Sequence, residues 1–239
     1  MPYIICAICV FAGSVLQTVT GLGLAIIVMA TLPFILPMET ALAISSILSA
    51  GHSIALLLTT PKKFRARKII VPVILYFVVS AVIVRLMLHQ SPAFLIRILG
   101  AFMILLSLYF LFWQREMHFS ASVKGGSVAG AVSGVMGSLF SINGPPLVVY
   151  YLATAESDEE YLANIRLTFL FTGLYTLGLR IWSGYMNSSV LVYGCISLAA
   201  MIAGIWSGNW LSKRVRGETL RKAVYGTMIL SGIIYLIQG

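Results

Sequence analysis

Apolar segments long enough to cross a bilayer recur from one end of this chain to the other, and two of them are broken in the middle. The segments run over 3–36, 39–58, 69–88, 94–113, 124–153, 161–182, 189–210 and 219–237. About 20 apolar residues of helix cross the ~30 Å of bilayer hydrocarbon, and six of the eight segments have roughly that length. Composition agrees: 59% of the 239 residues are hydrophobic and 10% are charged. A soluble domain is roughly a quarter charged, so there is too little polar material here to cover a water-facing surface. The chain reads as an all-α polytopic membrane protein.

The opening residues Met1-Pro2-Tyr3-Ile4-Ile5-Cys6 place no basic residue ahead of the apolar run, which reads as structure rather than as a cleaved signal. Cys6, Cys9 and Cys195 lie in apolar stretches without the His and Cys partners of a metal or redox set, and read as small buried hydrophobes. No cofactor and no metal site is expected. The net charge of +9 fits basic cytoplasmic loops rather than a nucleic-acid surface.

The first and fifth segments exceed the length of one span. Thr20-Gly21-Leu22-Gly23 interrupts one, and Ser141-Ile142-Asn143-Gly144-Pro145-Pro146 interrupts the other. Proline removes a backbone donor and glycine loosens the helix, so each segment reads as a hairpin of two short helices meeting at a polar tip. An offset of 121 residues pairs Gly13 with Gly134, Gly23 with Gly144, Glu39 with Glu160 and Ile44 with Ile165. The chain therefore divides into two repeats. Residues 1–117 hold a hairpin (3–36) and spans 39–58, 69–88 and 94–113; residues 118–239 hold a hairpin (124–153) and spans 161–182, 189–210 and 219–237. Two repeats interrupted at matching positions are the sequence pointer to a secondary-transporter binding site.

Charge gives the orientation. Lys62, Lys63, Arg65, Arg67 and Lys68 fill one loop, and Lys213, Arg214, Arg216, Arg221 and Lys222 another. By the positive-inside rule both face the cytoplasm, which requires an even number of crossings between them. The second broken segment must then enter and leave on one side, the two repeats have inverted topology, and both termini lie outside. Arg115 and Lys124 join the cytoplasmic set, while Arg85, Arg97 and Arg180 fall near the outer side. The expected architecture is eight spans plus two re-entrant hairpins, or ten spans if the hairpin arms cross fully, in the plasma (inner) membrane. A parallel repeat is the competing topology.

Polar groups inside hydrocarbon are costly and usually face an interior path. The tips offer Gln17, Thr20 and Gly21 in one repeat and Ser141, Asn143, Gly144 and Pro145 in the other. Half-helix amino ends carry unpaired N–H groups and partial positive charge, which suits an anion; close packing and chain reversal explain the same residues without a ligand. Ser45, Ser49 and His52 share a face of the second segment, and Asn164, Thr168, Thr172 and Tyr175 share one of the sixth. Hydrogen-bonded helix glue is the alternative for these. Arg166 lies about five residues inside the sixth segment; its guanidinium fork suits an oxyanion, while snorkelling or pairing with Glu159 or Glu160 would also place it there. His52 is a proton-relay candidate or a packed imidazole. The stripes Gly126-xxx-Gly130-xxx-Gly134 and Gly204-xxx-Gly208 are close-packing features.

Two runs resemble a known family. Gly13-Ser-Val-Leu-Gln17-Thr-Val-Thr20-Gly21-Leu-Gly23, with Ser45-Ser46 beyond it, is similar to the first half of the TauE/SafE group of sulfite and organosulfonate exporters. Gly130-xxx-Gly134-xx-Gly137-xxxxx-Asn143-Gly144-Pro145-Pro146-Leu147-Val148-Val149-Tyr150, followed by Arg166-Leu167-Thr168, is similar to its second half. Gly21-Leu22-Gly23-Leu24 stands where the family usually has a richer glycine cluster. The resemblance implies carriage of a small sulfur-containing anion such as sulfite, sulfoacetate or another sulfonate, usually outward.

The expected function is thus a secondary transporter working by alternating access, with no enzymatic activity. Its partners are the small anion, the lipid bilayer, a coupling proton or cation, and a homodimer mate if one forms. An anion channel, or a membrane subunit or enzyme with a lipid or thiol ligand, are the alternatives. No paired acids sit within a span, and no metalloprotease, nucleophile-elbow or P-loop pattern occurs.

Overall fold

The computed structural model describes residues 2–20, 23–57, 60–112, 122–211 and 217–238, with the side chains of residues 20, 217–221 and 223 outside that description. Gly21, Arg115, Lys213, Arg214 and Arg216 lie outside the described residues, as does the boundary between the two repeats. Among the described residues every regular element is helical. The first broken segment forms α1 (Pro2–Thr20) and α2 (Leu24–Thr31), the latter extended by a 3-10 turn at Leu32–Phe34. Then come α3 (Met38–Leu57), α4 (Ala66–Met87) and α5 (Pro92–Phe112). The second broken segment forms α6 (Val123–Phe140) and α7 (Gly144–Thr154), followed by α8 (Asp158–Trp182), α9 (Ser188–Leu211) and α10 (Gly217–Gln238).

Both breaks fall at the interrupting residues. The expected count of eight spans beside two hairpins is not met, because the hairpins use four of the ten described helices and leave six single ones. By length and composition, six described helices can cross a membrane: α1, α3, α4, α5, α8 and α9. Along α4 the exposed residues Ile70, Ile74, Val78 and Val82 form an apolar file at four-residue spacing, suited to lipid.

Local chemistry sets several helix ends. Ser122 caps α6, its Oγ accepting from Gly125 N at 3.2 Å. Ser157 caps α8 in the same way from Glu160 N at 3.2 Å, and Asp158, Glu159 and Glu160 complement the amino end of that helix.

The chain forms two compact units that interleave along the sequence: residues 1–48, 90–115 and 184–239, and residues 49–89 and 116–183. In the first unit α1 and α9 run in the same direction. Tyr3 stacks on Tyr193 at 4.4 Å, Cys6 Sγ lies 3.4 Å from Ser197 Oγ, and side chains at Gly204 and Gly208 would strike Ser14 and Thr18. In contrast α5 and α10 run oppositely. Gly100 backs onto Gly232, and Ser107 Oγ donates to Tyr225 O at 2.8 Å. Tyr235 OH donates to Met29 O at 3.2 Å, which ties α10 to α2.

In the second unit α4 runs parallel to α6, whose glycines at 126, 130, 134 and 137 face Pro72, Tyr76 and Val79. It also runs parallel to α8: Arg65 N donates to Asn164 Oδ1 at 2.9 Å near one end, the Tyr76 and Thr176 hydroxyls are 2.7 Å apart further on, and Arg85 lies over the Trp182 ring at the other end. Gly126 beside Tyr150 shows that α7 doubles back along α6. The last part of α3 runs against α8, with Ser49 beside Gly173 and His52 in the field of Arg166.

The reading of all three cysteines as buried needs correction. Cys6 is buried and Cys9 half-buried, but Cys195 is exposed, because α9 turns Tyr193, Gly194 and Ser197 inward instead.

Candidate functional site

The second hairpin tip is built by a helix that ends where it cannot continue. α6 stops on Ser141 in the left-handed region at φ 58°, the one non-glycine with positive φ among the described residues. An L residue there is strained, and such positions concentrate at functional sites. Ser141 is buried, and its Oγ has no hydrogen-bond partner among the described residues.

Two residues on, Asn143 occupies the cap position of α7 without capping it. Its Nδ2 instead donates to Thr172 Oγ1 on α8 at 2.9 Å. α8 is about 37 Å long and Thr172 lies about 21 Å along it, so the tip meets a spanning helix near its middle. Gly144, half-buried, contributes a backbone N–H, whereas Pro145 and Pro146 contribute none. The amino end of α7 thus keeps its dipole but loses two donors that a run of ordinary residues would supply.

α8 presents a buried polar file at four-residue steps: Asn164, Thr168, Thr172, Thr176 and Arg180. Each rung reaches another element. Asn164 Oδ1 receives Arg65 N, Thr168 Oγ1 lies 2.6 Å from Tyr151 OH, and Thr172 receives Asn143. Thr176 meets Tyr76, and Arg180 Nη2 donates to Ser138 O near the end of α6. Thr168 is therefore fastened to α7. Tyr175 leaves this file: its hydroxyl donates to Phe77 O at 3.1 Å and its ring stacks on Phe77 at 4.0 Å, so Thr176 takes the expected place.

Arg166 lies on a different side of α8. At 3.6 residues per turn it stands about 200° from Thr168, and it shares the α3-facing side with Gly173, next to Ser49 and His52. Glu159 and Glu160, the carboxylates considered for it, are held by Lys63 at 2.7 Å and by Lys68 at 2.7 Å respectively. The eight expected site residues of this unit thus form two groups. Ser141, Asn143, Gly144 and Pro145 form the tip, with Thr168 of α8 further along α7, against Tyr151, and Ser49, His52 and Arg166 line the α3–α8 seam.

The other expected residues belong to the first unit. Gln17 Oε1 accepts from Leu24 N at 2.9 Å, so this side chain caps α2 from within α1 and occupies a donor that an anion could have used. Ser45 Oγ is buried with no hydrogen-bond partner among the described residues. The Thr20 side chain and Gly21 lie outside the described residues. Arg180, fully buried beside the second tip, was not among the expected site residues.

A family model described as "Sulfite exporter TauE/SafE" matches residues 5–235. A protein of Cupriavidus necator described as a probable sulfite/organosulfonate exporter TauE is 26% identical over 226 residues, covering 91% of this chain and 87% of that protein. No solved structure matches the chain.

Proposed function

The chain belongs to the TauE/SafE sulfite exporter family, and from that premise we propose that it moves a small anion, sulfite or an organosulfonate, across the plasma membrane by alternating access. The single observation that carries the carrier reading is the direction of equivalent helices. α3 and α8 are counterparts under the 121-residue offset and run against each other where Ser49 meets Gly173; α5 and α10 are counterparts and do the same where Gly100 meets Gly232. A parallel repeat would turn α3 and α8 the same way. The exchange of partners, α1 with α9 and α6 with α4, supports the same two-fold relation. With the basic loops inside, this orientation leaves both termini outside. Inverted repeats that each carry a broken hairpin are the architecture in which one half can open as the other closes.

The second tip is the first contact for the anion. Ser141 supplies a buried hydroxyl, Asn143 an amide and Gly144 a backbone N–H, all at the amino end of α7. Arg166, on the α3–α8 seam beside His52, supplies the cationic approach, and Gln17, Thr20, Gly21 and Ser45 hold the equivalent positions in the first repeat. His52 is the one group of this set able to take up a coupling proton.

Asn143→Ala should weaken binding of sulfite or methanesulfonate about tenfold, the size of one hydrogen bond to a charged group. Titration of the purified protein by thermal shift reads this directly, because a ligand stabilises the folded state by mass action. Arg166→Ala should weaken binding by a similar factor. Unchanged affinity in both variants removes the site assignment. The absence of any response to sulfite and a panel of sulfonates in the parent protein removes the substrate class.

A further inference from the structure

The buried polar file of α8 continues one step beyond Asn164, to Glu160 near the start of the helix, whose side chain is buried. Each oxygen of its carboxylate meets a cation: Lys68 Nζ donates to Oε1 at 2.7 Å, and Arg65 Nε lies 3.4 Å from Oε2. An ammonium and a guanidinium so placed suit any small oxyanion, a sulfonate or sulfite as well as a carboxylate. Asn164 stands one turn on, at 0% exposure. Its Oδ1 accepts from Arg65 N at 2.9 Å, which fixes the orientation of the amide. Its Nδ2 carries two N–H donors and has no hydrogen-bond partner among the described residues. Buried donors ordinarily find an acceptor, so the Glu160 carboxylate leaves this cradle incompletely filled.

The two cations keep partners when that carboxylate leaves. Arg65 Nη2 also binds Glu156, and Lys68 Nζ lies 3.8 Å from Glu156 Oε1 and donates to Thr154 O at 2.6 Å. Exchange of the carboxylate for a free anion of one charge therefore leaves the charge within the cradle unchanged. The cradle also lies on a polar route. Glu160 is about 18 Å along α8 from Thr172, the rung that holds the second tip, and Asn164 and Thr168 are buried between them.

We propose that Lys68, Arg65 and Asn164 form a second oxyanion site for the transported anion, at the start of α8, and that Glu160 closes this site by filling it with its own carboxylate. Sulfite or a sulfonate takes the place of the carboxylate as it passes. This rests on the chain carrying an anion, not on the tip being the first contact.

Chemical rescue tests it, read as the rise in Tm that methanesulfonate causes in the full-length protein in detergent, against sodium chloride at equal ionic strength. Every variant carries Asn143→Ala, which weakens the tip. Glu160→Ala should gain a methanesulfonate-dependent rise that recovers most of the Tm lost on truncation, while the protein that retains Glu160 shows a much smaller rise. Adding Asn164→Ala should raise the half-saturating concentration of the rescue about tenfold. Each protein is compared with its own anion-free Tm, so a structural loss at Asn164 cancels. Where Glu160→Ala does not fold, Glu160→Gln replaces it: a neutral amide yields the cations more readily, so methanesulfonate should act at lower concentration than on Glu160. A variant at Glu160 that gains no more from methanesulfonate than from chloride, or a rescue indifferent to Asn164, overturns the proposal. Failed rescue in a family whose parent still responds to methanesulfonate leaves the anion carrier intact, whereas no response in any protein, the parent included, overturns both.

Discussion

A Gly130→Leu protein is expected to yield no monodisperse folded species, whereas Gly178→Leu should behave like the parent. The reason lies in what each new side chain would meet. A Cβ at Gly130 falls 2.7 Å from Pro72 Cα and 2.8 Å from Pro72 C, so the obstacle is backbone, which no rotamer change can move aside. Overpacking against movable side chains typically costs about 1–3 kcal/mol; displacing α4 from α6 costs more, because the contact runs on through Gly134 and Gly137 to Val79 and Tyr76. Helices in lipid associate through such close packing rather than through water exclusion, so few other contacts can compensate. At Gly178 nothing lies within 4 Å of the added atom. Size-exclusion profiles of the two variants from matched membranes decide the matter, and a normal Gly130→Leu peak would show that the α4–α6 seam is not as close as described.

The second large effect concerns Glu160. Its carboxylate is buried and binds Lys68 Nζ at 2.7 Å and Arg65 Nε at 3.4 Å, while Lys68 also donates to Thr154 O at 2.6 Å. This knot fastens the α3–α4 loop and the end of α7 to the start of α8. Arg65 and Lys68 keep Glu156 and the Thr154 carbonyl as partners when the buried carboxylate is removed, so Glu160→Ala should destabilise by about 1–2 kcal/mol, the size of a hydrogen bond to a charged group. The expected fall in Tm is on the order of 3–6 °C. Glu160→Gln, which keeps an acceptor for Lys68, should fall between the two. Glu159→Ala is the control: its bond to Lys63 is exposed at both ends and screened by solvent, so its loss should not move Tm measurably. Equal effects of Glu159→Ala and Glu160→Ala would contradict the burial difference on which this rests.

Much of this architecture was readable from the chain because membranes punish irregularity. Within an apolar run, Gly23 and Pro145-Pro146 had few explanations other than a break, and a new helix starts at each. The facing of α8 was harder to read. A spacing of four then three led to Tyr175, whereas the buried file keeps strict fours and passes through Thr176 to Arg180. That spacing is visible in the letters, but Arg180 sits near a segment end, where an arginine is ordinarily a headgroup anchor. Depth along a helix is legible from hydropathy, while the side a residue faces depends on its neighbours. The same reason separated Arg166 from Thr168, two residues apart in sequence and about 200° apart in space. Gln17 reached across the break to cap α2, a contact seven residues long that no local pattern announces.

The central claim is that this chain carries a small anion by alternating access, and counterflow tests it most directly. Purified protein in liposomes preloaded with unlabelled sulfite should accumulate external labelled sulfite transiently above equilibrium, with saturable initial rates, and Asn143→Ala should raise the half-saturating concentration about tenfold. Flux that rises linearly with concentration and is indifferent to the internal anion would contradict the carrier, and no flux of sulfite or any sulfonate above empty liposomes would contradict the anion.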